Sequence, residues 1–212
     1  MAYRRKQAWF IFNKHKRVLL DNHVSLGKRL QYFDTCVTPA ALYALSVFPL
    51  RRSELDALDI LQRKMLRRIV GWRRVESESW HDTMDRMNQR LLHGQSLHAC
   101  EDWSTLVLRQ QWRYVFHLIH SSPNLWARVM YNYNHGPKRD PYCDVHPRRR
   151  QGHPRHRWDD YVNRFCQYHW PSQCNHWFDV LCQDGMQAYE DMFIEFCKER
   201  NQDDANSEND ID

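Results

Sequence analysis

The stretch SELDALDILQRKMLRRIVGW, residues 53–72, constrains the fold more than any other part of the chain. Leu55, Leu58, Leu61, Met65, Leu66, Ile69 and Val70 recur at steps of three and four residues, which aligns them on one face of a helix. That face is expected to be core. Ser53 followed three positions later by Asp56 predicts a capping box, and Gly71 predicts a left-handed stop. Arg51, Arg52, Arg63, Lys64, Arg67, Arg68, Arg73 and Arg74 gather away from the apolar side, with few acidic residues near the helix start. A positively charged stripe results.

The same period recurs elsewhere. SLGKRLQYFDTCVTPAALYALSVF predicts a helix through Leu26, Leu30, Phe33 and Val37, an interruption at Thr38-Pro39, and a second piece carrying Ala40, Leu42 and Tyr43. EDWSTLVLRQQWRYVFHLIHSSP places Trp103, Leu106, Val107, Gln110, Tyr114 and Leu118 along a face that stops at Pro123. GMQAYEDMFIEFCKER groups Met186, Tyr189, Met192, Phe193 and Phe196. With 6 Gly in 212 residues and no convincing strand, the expected class is mainly α: an irregular helical bundle with a long basic connector and a short C-terminal helical piece. The expected division is a helical unit over 1–130, an irregular basic connector over 131–157 rich in Pro, His, Asn and Arg, a helical segment over 158–200, and a disordered tail over 201–212. The 9 Trp, 10 Tyr and 9 Phe must supply much of the burial in so polar a chain.

Charge is unevenly spread. The 31 Lys+Arg against 26 Asp+Glu leave only +5, yet the body is basic and NQDDANSENDID at the end is acidic and almost without apolar residues. A basic face attracts polyanions over a Debye length of about 8 Å at physiological salt. A polar acidic tail cannot offset its ordering entropy. The seven cysteines have no regular spacing, and the apolar run AWFIF is too short for a signal peptide or a membrane span. A reducing intracellular compartment, cytoplasmic or nuclear, and no membrane partner are therefore expected.

Three chemistries compete in CDVHPRRRQGHPRHRWDD, residues 143–160. Cys143, His146, His153 and His156 could offer zinc four ligands, and Cys166, His169, Cys174 and His176 form a second group. Neither matches a standard finger or knuckle spacing, so polar histidines and buried cysteines are the favoured reading. Asp159-Asp160 has the form of a metal-holding aspartate pair, but Trp158, Tyr161, Val162 and Phe165 follow at helical spacing. Acidic residues there suit a first helical turn. No nucleophile elbow, Walker loop or dinucleotide fingerprint is present, so no enzyme activity and no cofactor are expected. The arginines remain. Arg148, Arg149, Arg150, Arg155 and Arg157 on a Gly-Pro backbone suit a phosphate chain, Trp158 could stack on a base, and Arg63, Lys64, Arg67 and Arg68 would add contacts.

LQYFDTCVTPAALYAL, LDILQRKMLRRIVGW and RRRQGHPRHRWDD, in that order, resemble the region downstream of the polymerase core in reverse transcriptases of LINE-type retrotransposons, which lack long terminal repeats. The blocks span residues of about 20 to 165. Ala44 stands where the family pattern has Gly after Tyr, and His153 where it has Arg. The resemblance implies a thumb-like and post-thumb helical region that packs beside a template–primer duplex. The family's palm, with its Y-x-D-D aspartates, has no counterpart in this sequence. The implied function is non-catalytic binding of RNA or an RNA–DNA hybrid through phosphates, with a polymerase palm encoded separately as a further partner. The alternative is a structural or interaction remnant whose apolar helices normally pack on a missing palm.

Overall fold

The structure is a computed structural model that describes residues 2–48, 50–71, 74–98, 100–122, 124–126, 160–170 and 187–199. It is mainly α-helical and irregular, with no strand among the described residues. The helices are α1 (Ala2–Lys14), α2 (Lys16–Leu19), α3 (Leu26–Leu42), α4 (Arg52–Val70), α5 (Trp80–Leu97), α6 (Trp103–His120), α7 (Asp160–His169) and α8 (Gln187–Glu199). A 3-10 turn covers Leu45–Val47. The expected boundaries near 130, 157 and 200, with the basic connector and the acidic tail, lie outside the described residues. The chain forms two compact units: Met1–Leu45 with Leu50–Val107, and Ser46–Pro49 with Leu108–Asp212.

In the first unit α3 lies at the centre and touches α1, α2, α4 and α5. Leu30, Phe33, Val37, Ala41 and Leu42 of α3 are buried, and so are all seven apolar residues of α4 that the sequence aligned. Burying each such Leu, Ile, Met or Val side chain is worth roughly 1.5–3 kcal/mol, so this seam dominates the unit's stability. The start of α4 differs from expectation. The helix begins at Arg52, and Glu54 rather than Asp56 closes the cap, its carboxylate accepting from the Arg51 N–H at 3.0 Å. Asp56 instead pairs with Arg52 at 3.0 Å, and Ser53 is exposed. A carboxylate at the third helical position reaches back over one turn, a geometry that favours Glu over shorter Asp. Gly71 stops the helix with φ of +85°.

Helix α3 does not break at Thr38-Pro39. It runs through Pro39 to Leu42, because Val37, Thr38, Ala41 and Leu42 are all buried and the Thr38 hydroxyl accepts from the Trp103 indole N–H at 3.0 Å. Packing there overrides the extended preference of a residue before proline. Tyr43, expected on the apolar face, is 68% exposed, and Ala44 follows with φ of +59°. Helix α1 carries no clear apolar stripe, and neither it nor α5, whose Met84, Met87, Leu91 and Gly94 recur at steps of three and four, was expected. Among the described residues of α5, Met87 and Leu91 are the large buried side chains, while Trp80 and Leu92 are exposed.

Helix α6 enters this unit through its N-terminus. The Trp103 ring stacks on Phe33 with centroids 5.8 Å apart, and the Trp103 N–H donates to Gln62 Oε1 at 2.9 Å. Asp59 accepts from the Ser104 N–H at 2.8 Å and from its hydroxyl at 2.6 Å. The orphan donors of a buried helix start are thus met by two side chains of α4. Asp34, on α3, accepts from Thr38 and Cys100, yet burial holds its carboxyl above the usual range despite those hydrogen bonds. The Cys100 thiol is pushed up to about 12, by burial first and by Asp34 next.

The second unit has its own aromatic centre. Trp112 of α6 stacks on Phe193 of α8 at 4.9 Å and meets Phe165 of α7 edge-on at 5.5 Å. Val162, Phe165 and Cys166 are buried on α7, as the spacing of Val162 and Phe165 predicts. The α6 face differs from expectation: Gln110 is exposed, whereas Gln111, Trp112 and Val115 are buried. Trp103, Ser104, Val107, Leu108, Gln111, Trp112, Val115 and Leu118 form one buried stripe in a single phase, turned about the helix from the expected side through Leu106, Gln110 and Tyr114. On α8, Met192 is 41% exposed and Phe193, Ile194, Phe196 and Cys197 form the buried side; Met186 is outside the described residues. Glu190, 4% exposed, is held by Arg109 Nε at 2.7 Å and by both Arg113 Nε and Nη2 at 3.0 Å.

Three outcomes follow from this packing. Glu190→Ala removes the carboxylate that Arg113 and Arg109 share, though Arg109 keeps Asp191 at 3.9 Å, and should cost about 3 kcal/mol, at the low end for a buried pair because Arg113 is half exposed, as read by urea unfolding. The raised Asp34 carboxyl favours the protonated fold, so the stability it lends is full below the ordinary carboxylate range and is lost as pH rises through its folded value. Asp34→Asn should therefore melt above the parent at about pH 7, with the gap closing toward about pH 4; a pH-independent gap refutes this. Ala44→Gly relieves a positive φ and should stabilise the chain by up to about 1 kcal/mol in the same melts.

Candidate nucleic-acid interface

The first twenty residues contain Arg4, Arg5, Lys6, Lys14, Lys16 and Arg17 and no Asp or Glu. Residues 60–75 likewise contain Arg63, Lys64, Arg67, Arg68, Arg73 and Arg74 without an acidic residue. The fold brings these two stretches together. The Arg68 guanidinium of α4 sits over the Trp9 ring of α1, 4.8 Å from its centroid. Arg5 lies one helical turn from Trp9 and Lys64 one turn from Arg68, which puts each on the side of its helix where the pair forms.

The arginines fall into two kinds. Arg52 and Arg86 are neutralised by Asp56 and Glu78, the latter at 2.7 Å. Arg86 draws the Glu78 carboxyl below its usual range. By contrast, no ion pair among the described residues involves Arg4, Arg5, Lys6, Arg63, Lys64 or Arg68. Arg68 and Arg4 are nevertheless held in place by rings: Arg4 lies 5.6 Å from the Tyr3 centroid and 4.8 Å from that of Tyr43. A guanidinium lying against a ring keeps its edge N–H donors available, and those donors form the fork that fits a phosphate.

Arg63, Lys64 and Arg68 are exposed on α4. Arg63 Nε bonds its own helix at Asp59 C=O, 3.3 Å away. Arg67 is half-buried and turned to α5, where Nη2 donates to Asn88 Oδ1 at 2.8 Å, so it joins two helices. Arg148, Arg149, Arg150, Arg155, Arg157 and Trp158 lie outside the described residues, as do Cys143, His146, His153 and His156. Helix α7 begins at Asp160, in keeping with the helix-start reading, and Asp159 is outside the described residues. In the second Cys/His group, Cys166 is fully buried, its thiol raised by that burial, and the His169 ring lies 4.6 Å from Phe165. Cys174 and His176 are not among the described residues.

Arg4, Arg5, Trp9 and Tyr43 were missed by the sequence reading. The signal that could have found the first three is the acid-free run at the start of the chain, which periodicity alone passes over. No helix among the described residues is long and apolar enough to cross a membrane. No family model, no curated protein and no solved structure matches the chain.

Proposed function

We propose that the chain is a non-catalytic, intracellular module that binds RNA or an RNA–DNA hybrid through phosphates, and that it derives from the thumb and post-thumb region of a LINE-type reverse transcriptase. The observation that carries the binding is the Arg68–Trp9 pair, which joins two acid-free basic stretches and holds a guanidinium whose donors meet no carboxylate among the described residues. Pre-organised arginine forks lose less side-chain freedom on meeting a phosphate than free ones do. Two backbone features support the derivation. Gly71, at the glycine of the family pattern, has φ of +85°, and Ala44, where the pattern has Gly, has φ of +59°. Both positions ask for glycine on steric grounds. Arg148, Arg149, Arg150, Arg155 and Arg157 would extend the contact along the strand.

A second reading is favoured by the exposed apolar side chains Phe10 (64%), Leu92 (64%) and Trp80 (61%). They suit a remnant that packs against a missing palm, and would drive self-association in isolation.

A labelled RNA–DNA hybrid titrated by fluorescence anisotropy across a salt series tests the first reading. Log affinity should fall linearly with log salt, and Arg63→Ala with Lys64→Ala should lower the slope by roughly 1.5, since each phosphate contact contributes about 0.7 to 0.9. Affinity weaker than about 100 μM at low salt would sink the reading. Light scattering on the same sample separates the alternative, which requires oligomers where the first reading expects a monomer.

A further inference from the structure

We propose that Tyr3, Arg4 and Tyr43 form a base-stacking platform, so that the nucleic acid held on this unit presents unpaired bases to it. The inference rests on the phosphate-binding reading above and names the form of the ligand.

Large aromatic side chains usually bury their rings, but Tyr3 is 65% and Tyr43 68% exposed. They come from different helical segments, the start of α1 and the end of α3, and Arg4 lies over both rings. One face of each ring meets the cation, which leaves the other for a base. Arg4 is engaged in no hydrogen bond or ion pair among the described residues, so its donors can take the adjoining phosphate. Tyr43 is carried outward where α3 gives way to Ala44, at φ of +59°, a conformation that alanine adopts only at a cost. Phe10, 64% exposed and two turns from Tyr3 on the same side of α1, lengthens the aromatic row.

The chemistry selects an unpaired polynucleotide. Rings beside a guanidinium are the combination that binds single strands, in which bases stack and phosphates are neutralised together. Inside a duplex the base faces are already stacked. An acidic peptide would satisfy the charge but leave the rings without flat partners, and no acidic residue of α1 or α2 opposes a polyanion.

The test compares the full chain's affinity for two labelled oligodeoxynucleotides of equal length, one carrying bases and one abasic throughout. The parent should prefer the base-bearing strand by about five-fold or more. Tyr3→Ala with Tyr43→Ala should bring the ratio to about one, whereas Tyr3→Phe with Tyr43→Phe should keep it, because the ring and not the hydroxyl stacks. Helical circular dichroism checks that each variant folds. A parent ratio near one, a ratio that survives the double alanine change, or oligoglutamate of equal charge binding as tightly as the strand overturns the platform. If both strands bind equally, the platform fails and phosphate binding stands; if neither binds, the platform fails, and the hybrid titration decides the phosphate reading separately.

Discussion

The first unit depends on how the start of α6 is buried. A helix N-terminus brings N–H groups that must be satisfied away from water, and here they point into a region walled by α3 and α4. Gln62, wholly buried, and Asp59 meet the Trp103 and Ser104 N–H groups, and Gln62 Nε2 donates onward to Glu101 C=O at 2.8 Å. That network fixes where Trp103 stands, and Trp103 in turn stacks on Phe33 and bonds Thr38. Helix α3 runs through Pro39 because its neighbours are fixed in this way. The same residues hold Asp59 in partial burial, which raises its carboxyl despite the two hydrogen bonds from Ser104.

A second theme is the contrast between arginines that build and arginines that wait. Arg29 is buried and donates to Ile69 C=O at 2.7 Å, closing the end of α4. Arg67 spans to Asn88, and Arg109 with Arg113 holds Glu190. Arg4 and Arg68 do none of this, being oriented by aromatic rings instead. A ring can hold a guanidinium without occupying its donors, whereas a carboxylate occupies both. Net charge alone does not reveal this division, since all of these side chains count equally toward +5.

What could be read from the sequence follows from how local each signal is. The α4 face was legible because seven apolar residues report one phase, and Gly71 because a positive φ selects glycine. Val162 and Phe165 were legible for the same reason. Helix α5 was not, since its few apolar residues are spread thinly among polar ones and exposed Leu92 lies off the face of Met87 and Leu91. The α6 phase was misread because apolar residues surround the helix: Leu106 and Tyr114 favoured one side, whereas the buried side runs through Leu108, Gln111, Trp112 and Val115. Of the interface, Arg63, Lys64 and Arg68 were visible as an exposed stripe. The ring beneath Arg68 belongs to Trp9, far away in the chain, and no spacing rule connects them.

The chain passes between the two units at three points, and the one between Val107 and Leu108 lies inside α6. A chain cut there would leave one side with Trp103–Val107, far shorter than the dozen or so residues an isolated helix needs in water. Gln62 and Asp59 would then cap a helix that no longer exists. The other side would keep Trp112 but lose the turn that begins its helix. A break at this point would therefore damage both units at once.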